Sequence, residues 1–146
     1  MRPVPRKYDQ LIFAPNSDPG SAGIRAGLAK SSTDIIEHLP HSAFLERLAQ
    51  ARAIVDNSSV WLIEAAALGV PCVNIGPRQG GRQKPGNVID CDYGQKPVRA
   101  ALDRAVKLDL SRLRHPYGDG QAGKRIADFL ATIDLAQVSL RKRNWY

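Results

Sequence analysis

The sequence predicts an α/β protein with a Rossmann-like, three-layer α/β/α arrangement around a parallel sheet. Two observations predict it. Short apolar runs alternate with helix-length stretches at the spacing that parallel strands and right-handed crossovers require. In addition, Asp56 to Gly76, DNSSVWLIEAAALGVPCVNIG, reads as the core of a complete βαβ unit, from strand end through helix to second strand. A chain of 146 residues is long enough for one ordinary domain with a real core. The expected organisation is an extended lead-in over 1–10, a domain over 11–140 and a basic tail over 141–146.

Met1 to Lys7 is basic and carries two prolines, and is read as an extended lead-in with no fold of its own. Leu11 to Ala14 is a short apolar strand, followed by the turn-forming PNSDPG, with Ser21 as N-cap of a helix over Ala22 to Lys30. A second strand starts at Ile35-Ile36 and ends near Leu39; Pro40 and Ser42 then open a helix whose Phe44, Leu45, Leu48 and Ala49 share a face. Ala53-Ile54-Val55 forms the third strand. Val60 to Leu68 is read as one continuous helix, stopped by Gly69, and Pro71 leads into the strand Cys72 to Ile75. The glycine-rich loop Gly76 to Gly86 holds three cations and no carboxylate. Asn87 to Cys91 is the next strand, and Pro97 lies in the first turn of a helix reaching about Leu108. Tyr117 to Gly120 is a turn before a last helix with Ile126, Phe129, Leu130 and Ile133 at i, i+3, i+4 and i+7.

A formal charge of +7 favours an anionic partner: a nucleotide, nucleic acid or an acidic protein face. Nucleic acid is disfavoured, because the basic residues are dispersed and the dense Arg141-Lys142-Arg143 group has few aromatics interleaved with it. Cys72 and Cys91 match neither a zinc knuckle nor a CxxC redox motif, and read as small buried hydrophobes of a reducing compartment. No signal-peptide stretch or membrane-length window is present, so the expectation is a cytoplasmic protein that needs no membrane, metal or cofactor.

Chemistry concentrates at the expected carboxyl ends of the strands, where open α/β sheets bind ligands. Asn16, Leu39, Ser58, Ser59 and Arg78 all fall there. Ser58 and Ser59 sit at a strand-to-helix handover, which suits an anion if free N–H groups and a helix dipole point together; ordinary capping serines would look the same. Glu64 is a lone carboxylate in a helix apolar on every face, and burial there is costly without a partner. It either accepts two ribose hydroxyls about 10 Å along the axis from Asn57, at the rise of a continuous helix, or pairs internally with Arg78 or Arg82. His38 and His41 are assigned no chemistry.

Five ordered blocks carry a resemblance: PNSDPGS (15–21), DNSS followed by Glu64, LGVPCVNIGPRQGGR (68–82), GNVIDCDY (86–93) and PYGDGQAGKRI (116–126). Together they resemble the C-terminal half of the UDP-N-acetylglucosamine 2-epimerases, with the nearest likeness to the hydrolysing branch of sialic acid and related sugar synthesis. The likeness runs from about Phe13 to Leu135. It implies one half of a two-domain GT-B fold and a UDP or UDP-GlcNAc ligand. By that resemblance Asn16 lies near the nucleotide, Leu39 meets the uracil through its backbone, Ser58 and Ser59 hold the diphosphate, Glu64 holds the ribose hydroxyls, and Arg78 sits at the nucleotide end of the cleft.

Two departures qualify it. Where the family usually has glycine, two residues after the second serine, this chain has Trp61, a ring that either stacks on the nucleotide or obstructs it. The family's acidic catalytic residues, several cations and a histidine belong to an N-terminal half that the matched blocks do not include. Elimination of UDP with proton movement at C2 needs general acids and bases; none is assigned here, so catalysis is expected to require an N-terminal domain. The alternative is a non-catalytic binding or partner module of the same fold. A GT-B glycosyltransferase domain is disfavoured by the PYGDG and NIGPRQGGR blocks. The oligomeric state, a homo-oligomer included, is open.

Overall fold

The computed structural model describes residues 9–30 and 34–138. Residues 1–8 of the expected lead-in over 1–10, and the whole basic tail over 141–146, therefore lie outside the described residues. After Gln50 the chain divides into two compact units.

The first unit holds β1 (Ile12–Phe13), α1 (Ser21–Leu28), β2 (Ile35–Ile36) and α2 (His41–Ala49). β1 and β2 pair in parallel, Ile12 opposite Ile35 and Phe13 opposite Ile36. The ladder extends one residue further, where the Ala14 N–H donates to the Ile36 carbonyl at 2.9 Å. Phe13 meets Phe44 of α2 edge to face, with centroids 5.5 Å apart, a favoured aromatic geometry. The Ser21 cap is not formed: Gly20, at φ +92°, precedes the helix, and Ser21 is its first residue. Pro40, in an extended conformation, precedes α2.

The second unit is built on β3 (Ile54–Asp56), β4 (Cys72–Ile75) and β5 (Val88–Cys91), in the order β3-β4-β5 and parallel throughout. The parallel pairing anticipated from the strand spacing is present, in one two-stranded and one three-stranded sheet. α4 (Gln95–Ala105) covers one face of the larger sheet, where Val73, Ile89, Ala101 and Ala105 form a buried cluster flanked by Ile75, Cys91, Leu102 and Leu108. Strand alternation turns Cys72 and Asn74 to the opposite face. α5 (Ala122–Thr132) carries the expected stripe, but Ile126, Phe129 and Leu130 are exposed.

The segment expected as one helix from Val60 to Leu68 is broken. A 3₁₀ turn, Ser59–Trp61, is followed by the single α-turn α3 (Glu64–Ala67), with Ile63 at φ −109° and ψ −73° between them. That conformation lies well away from helical values. Two physical causes converge. Val60, Trp61 and Ile63, three of four consecutive residues, are poor helix formers. A side chain from elsewhere also takes a carbonyl of the segment: the Asn87 amide donates to the Trp61 carbonyl at 3.3 Å, whereas the Ile63 carbonyl, 3.0 Å from His115 Nε2, keeps its bond from the Ala67 N–H.

Asn87 is fully buried and donates a second bond, at 2.9 Å, to the Val70 carbonyl. Its own carbonyl accepts the Cys72 N–H at 2.7 Å. One residue at the start of β5 thus ties both ends of the broken segment to the sheet, satisfying backbone groups that burial would otherwise leave unmet.

Trp61 is likewise fully buried, although its indole N–H has no partner among the described residues. The ring is therefore part of the core and is not on the surface a nucleotide would touch. Burial on every face does not hold for the whole segment, since Ile63 and Leu68 are 49% and 41% exposed. Its apolar residues divide between core and solvent.

Candidate functional site

In the first unit, Asn16 and Leu39 each lie three residues beyond a strand, after Phe13 and Ile36. Because those strands are parallel and in register, both residues fall at the same end of the small sheet. Asn16 is exposed and Leu39 is half-buried. The shallow depression at this end of the unit is bounded by Ala14, Pro15, Leu28 and the Arg25–Glu37 ion pair, and includes neither residue.

In the second unit, Ser58 and Ser59 follow β3 and Arg78 follows β4, again at one end of a parallel sheet. The turn after β3 is held by its own side chains. Asp56 accepts the Asn57 N–H at 2.6 Å and the Ser58 hydroxyl, while Ser58 Oγ accepts the Val60 N–H at 3.3 Å. Ser58 is thus an N-cap and is occupied as one. The Ser59 hydroxyl makes no hydrogen bond among the described residues and is half-buried.

The glycine-rich loop reaches back to this turn. Arg78 Nη1 donates to the Asn57 carbonyl at 3.3 Å, and Gln79 Nε2 donates to the same oxygen at 2.9 Å. Gln79 is only 5% exposed, so it acts as the fixed anchor while the Arg78 side chain remains at the surface. The loop is shaped by a turn in which the Gly80 N–H donates to the Pro77 carbonyl at 2.8 Å, and by Gly81 at φ +76°. Gly76 is required at its place: it has φ +73°, and a Cβ there would lie 2.5 Å from the Tyr93 ring.

Glu64 is half-buried at the start of α3. Among the described residues its carboxylate forms neither a hydrogen bond nor an ion pair, so the internal pairing with Arg78 or Arg82 is absent and the carboxylate reaches solvent. The spacing of about 10 Å assumed a continuous helix; it does not carry across the break at Ile63. With three residues in the 3₁₀ turn and four in α3, too few peptides align to act as an anion trap. The cation tied to this turn is Arg78.

Beside the same loop lies an open cavity of about 540 Å³ bounded by Asn74, Gly76, Pro77, Gly80, Lys84, Asp90, Cys91 and Asp92. Asn74 donates to Asp90 Oδ1 at 2.7 Å, and Lys84 donates to Asp90 Oδ2 at 2.6 Å. Burial alone would raise the Asp90 carboxyl, but the hydrogen bonds from Lys84 and Asn74, with the Lys84 charge, outweigh it and hold the group below the usual carboxylate value. Burial, reinforced by Asp56, Asp90 and Cys91, raises the Cys72 thiol far above its ordinary range; Cys91 is raised too, first by burial and then by Asp92 and Asp90. Neither thiol is a ready nucleophile.

Sequence reasoning missed Gln79, Asn87, the Asn74–Asp90–Lys84 network and His115. Asn74 and Asn87 left one trace: each is an amide within or beside an apolar run expected as strand, a place where a polar side chain is buried only with partners. The other two sit in loops and gave no such signal.

A parallel α/β fold with a serine turn and a cationic loop at the carboxyl ends of its strands defines a Rossmann-like domain of the GT-B class. The sequence pattern of the family described as UDP-N-acetylglucosamine 2-epimerase matches residues 4–131. The chain belongs to this family. It is 35% identical over 140 residues to the UDP-N,N'-diacetylbacillosamine 2-epimerase (hydrolyzing) of Legionella pneumophila, covering 93% of this chain and 37% of that protein. It is 30% identical over 139 residues to the UDP-N-acetylglucosamine 2-epimerase of Neisseria meningitidis, covering 91% of this chain and again 37% of the relative. The chain thus spans a little over a third of the length of these curated relatives. The fold is also that of the Methanocaldococcus jannaschii UDP-GlcNAc 2-epimerase, solved in complex with UDP-GlcNAc and UDP, with a TM-score of 0.59 and 23% identity over 75% of this chain and 31% of that one. Among the described residues, no helix is long and apolar enough to cross a membrane.

Proposed function

We propose that this chain supplies the UDP-binding face of a UDP-N-acetylglucosamine 2-epimerase. The observation that carries the reading is the loop-to-turn anchor: Gln79 and Arg78 both bond the Asn57 carbonyl, which ties the Arg78 guanidinium to the turn that carries Ser58 and Ser59. In this reading Arg78 and the Ser59 hydroxyl meet the diphosphate, and Ser58 shapes the turn as its cap. Glu64 accepts the ribose hydroxyls, which suits an unpaired carboxylate that already reaches solvent. The proposal rests on the second unit alone and asks nothing of Asn16 or Leu39.

The assignment is to binding. Proton movement at the sugar C2 needs a general acid and a general base, whereas the groups gathered here are a guanidinium, a hydroxyl and a carboxylate engaged by ribose. The sugar chemistry is assigned to residues outside this set, carried by a further domain. Calorimetric titration of the 146-residue chain with UDP tests the reading. Saturable heat at submillimolar UDP is expected, without turnover of UDP-GlcNAc by this chain alone. No heat at millimolar UDP would leave a module that keeps the family fold without nucleotide binding.

A further inference from the structure

The segment from Leu113 to Tyr117 runs into the PYGDG block, and the binding site described above leaves it unused. Among the described residues, it reaches other segments at His115, Tyr117 and Leu113. His115 Nε2 lies 3.0 Å from the Ile63 carbonyl, one residue before Glu64. The Tyr117 hydroxyl donates to the Gln83 carbonyl of the glycine-rich loop at 3.3 Å. Leu113 lies against Gly86, at the far end of that loop, where its Cδ1 would be 3.5 Å from an added Cβ.

The two ends of this bridge are coupled. The Tyr117 N–H donates to His115 Nδ1 at 3.2 Å, which makes Nδ1 the acceptor and leaves Nε2 as the N–H that donates to Ile63. The Tyr117 ring packs edge to face on the imidazole, centroids 5.7 Å apart. On its far side the block is fixed by Asp119, which accepts from the two terminal Arg125 guanidinium nitrogens at 2.8 Å and from the Gln121 N–H at 3.1 Å.

From these contacts we infer that His115 and Tyr117 are positioning residues: they form a strap that sets the placement of Glu64 relative to the glycine-rich loop, and so set how strongly the site favours a nucleotide bearing free ribose hydroxyls. The inference rests on the nucleotide reading above for its ligand, but its geometry stands apart from it. His115 acts on Glu64 through the Ile63 carbonyl. That carbonyl also accepts the Ala67 N–H at 3.0 Å, inside the α3 turn. The imidazole therefore holds the turn at the residue from which Glu64 departs.

Two measurements on the full chain test it. The first compares affinities for UDP and for 2',3'-dideoxy-UDP in wild type, His115→Leu, His115→Gln and Tyr117→Phe. Two hydroxyls on a carboxylate are expected to give wild type a preference of roughly tenfold or more for UDP, from the strength of charged hydrogen bonds. His115→Leu is expected to collapse that ratio towards one while the dideoxy affinity stays within about twofold. His115→Gln, which keeps an N–H donor, is expected to recover part of the preference. A role confined to general stability would weaken both ligands together, and that result overturns the inference.

The second measurement needs no ligand. Amide hydrogen exchange of the free protein is expected to quicken at Ala67 in His115→Leu and across Gly80–Gly86 in both His115→Leu and Tyr117→Phe, because opening one end of the strap loosens the other. Unchanged exchange in both variants overturns the strap. A wild-type chain that binds no UDP overturns the nucleotide reading, and exchange then decides the strap by itself.

Discussion

Trp61→Ala is expected to lower the stability of the second unit by roughly 3–5 kcal/mol, the range for truncating a fully buried large aromatic. The side chain is 0% exposed. Its carbonyl is held by Asn87, itself fully buried, a residue that also has its bonds with Val70 and Cys72 to keep. Collapse into the space left behind would strain the tie between β5 and the broken segment, which places the expected cost towards the upper end. Trp61→Phe is expected to cost clearly less. It removes less volume, and it also removes an indole N–H that has no partner among the described residues, relieving a donor whose burial is unfavourable by about 1–3 kcal/mol. Urea denaturation of both variants checks the order. A Trp61→Ala variant within about 1 kcal/mol of wild type would contradict the burial on which this account of the segment depends.

Glu64→Ala is expected to behave in the opposite way, with little change in stability and a large change in ligand affinity. The carboxylate has no partner among the described residues and is half-buried, so its removal leaves no buried group unmet. The expected stability change is within about 0.5 kcal/mol, as for surface positions away from such features. If two ribose hydroxyls bond it, UDP affinity is expected to fall roughly 10- to 100-fold, since hydrogen bonds to a charged group are worth about 1.5–3 kcal/mol. Affinity for 2',3'-dideoxy-UDP is expected to hold. Calorimetry with the two ligands separates the outcomes, and an equal loss for both would remove the ribose role.

How much of this was legible in the chain depended on whether the cause was local. Cys72–Ile75 was read with the limits it has in the structure, because a branched run between Pro71 and Gly76 is bounded by residues that set the backbone themselves. Parallel pairing was legible for the same reason: element spacing carries it. The continuous helix from Val60 to Leu68 failed in part because the Trp61 carbonyl is taken by Asn87, 26 residues away in sequence. A helical pattern contains no trace of such a partner.

Trp61 illustrates the same limit. As a departure from the family's glycine it invited a role at the ligand, either stacking or obstruction. Its full burial gives it to the core instead. At the site, Arg78 and the serines were legible as residues beyond strand ends. That Ser58 would be occupied by Asp56 and Val60, leaving Ser59 the available hydroxyl, follows from turn geometry that composition does not encode.

The most direct measurement is an amide chemical-shift map of the isotopically labelled chain titrated with UDP. The account predicts saturable shifts concentrated at Ser58–Glu64 and Arg78–Gly81, with the Arg78 side-chain resonance among the largest. Shifts confined to other parts of the chain, or none at millimolar UDP, would contradict it.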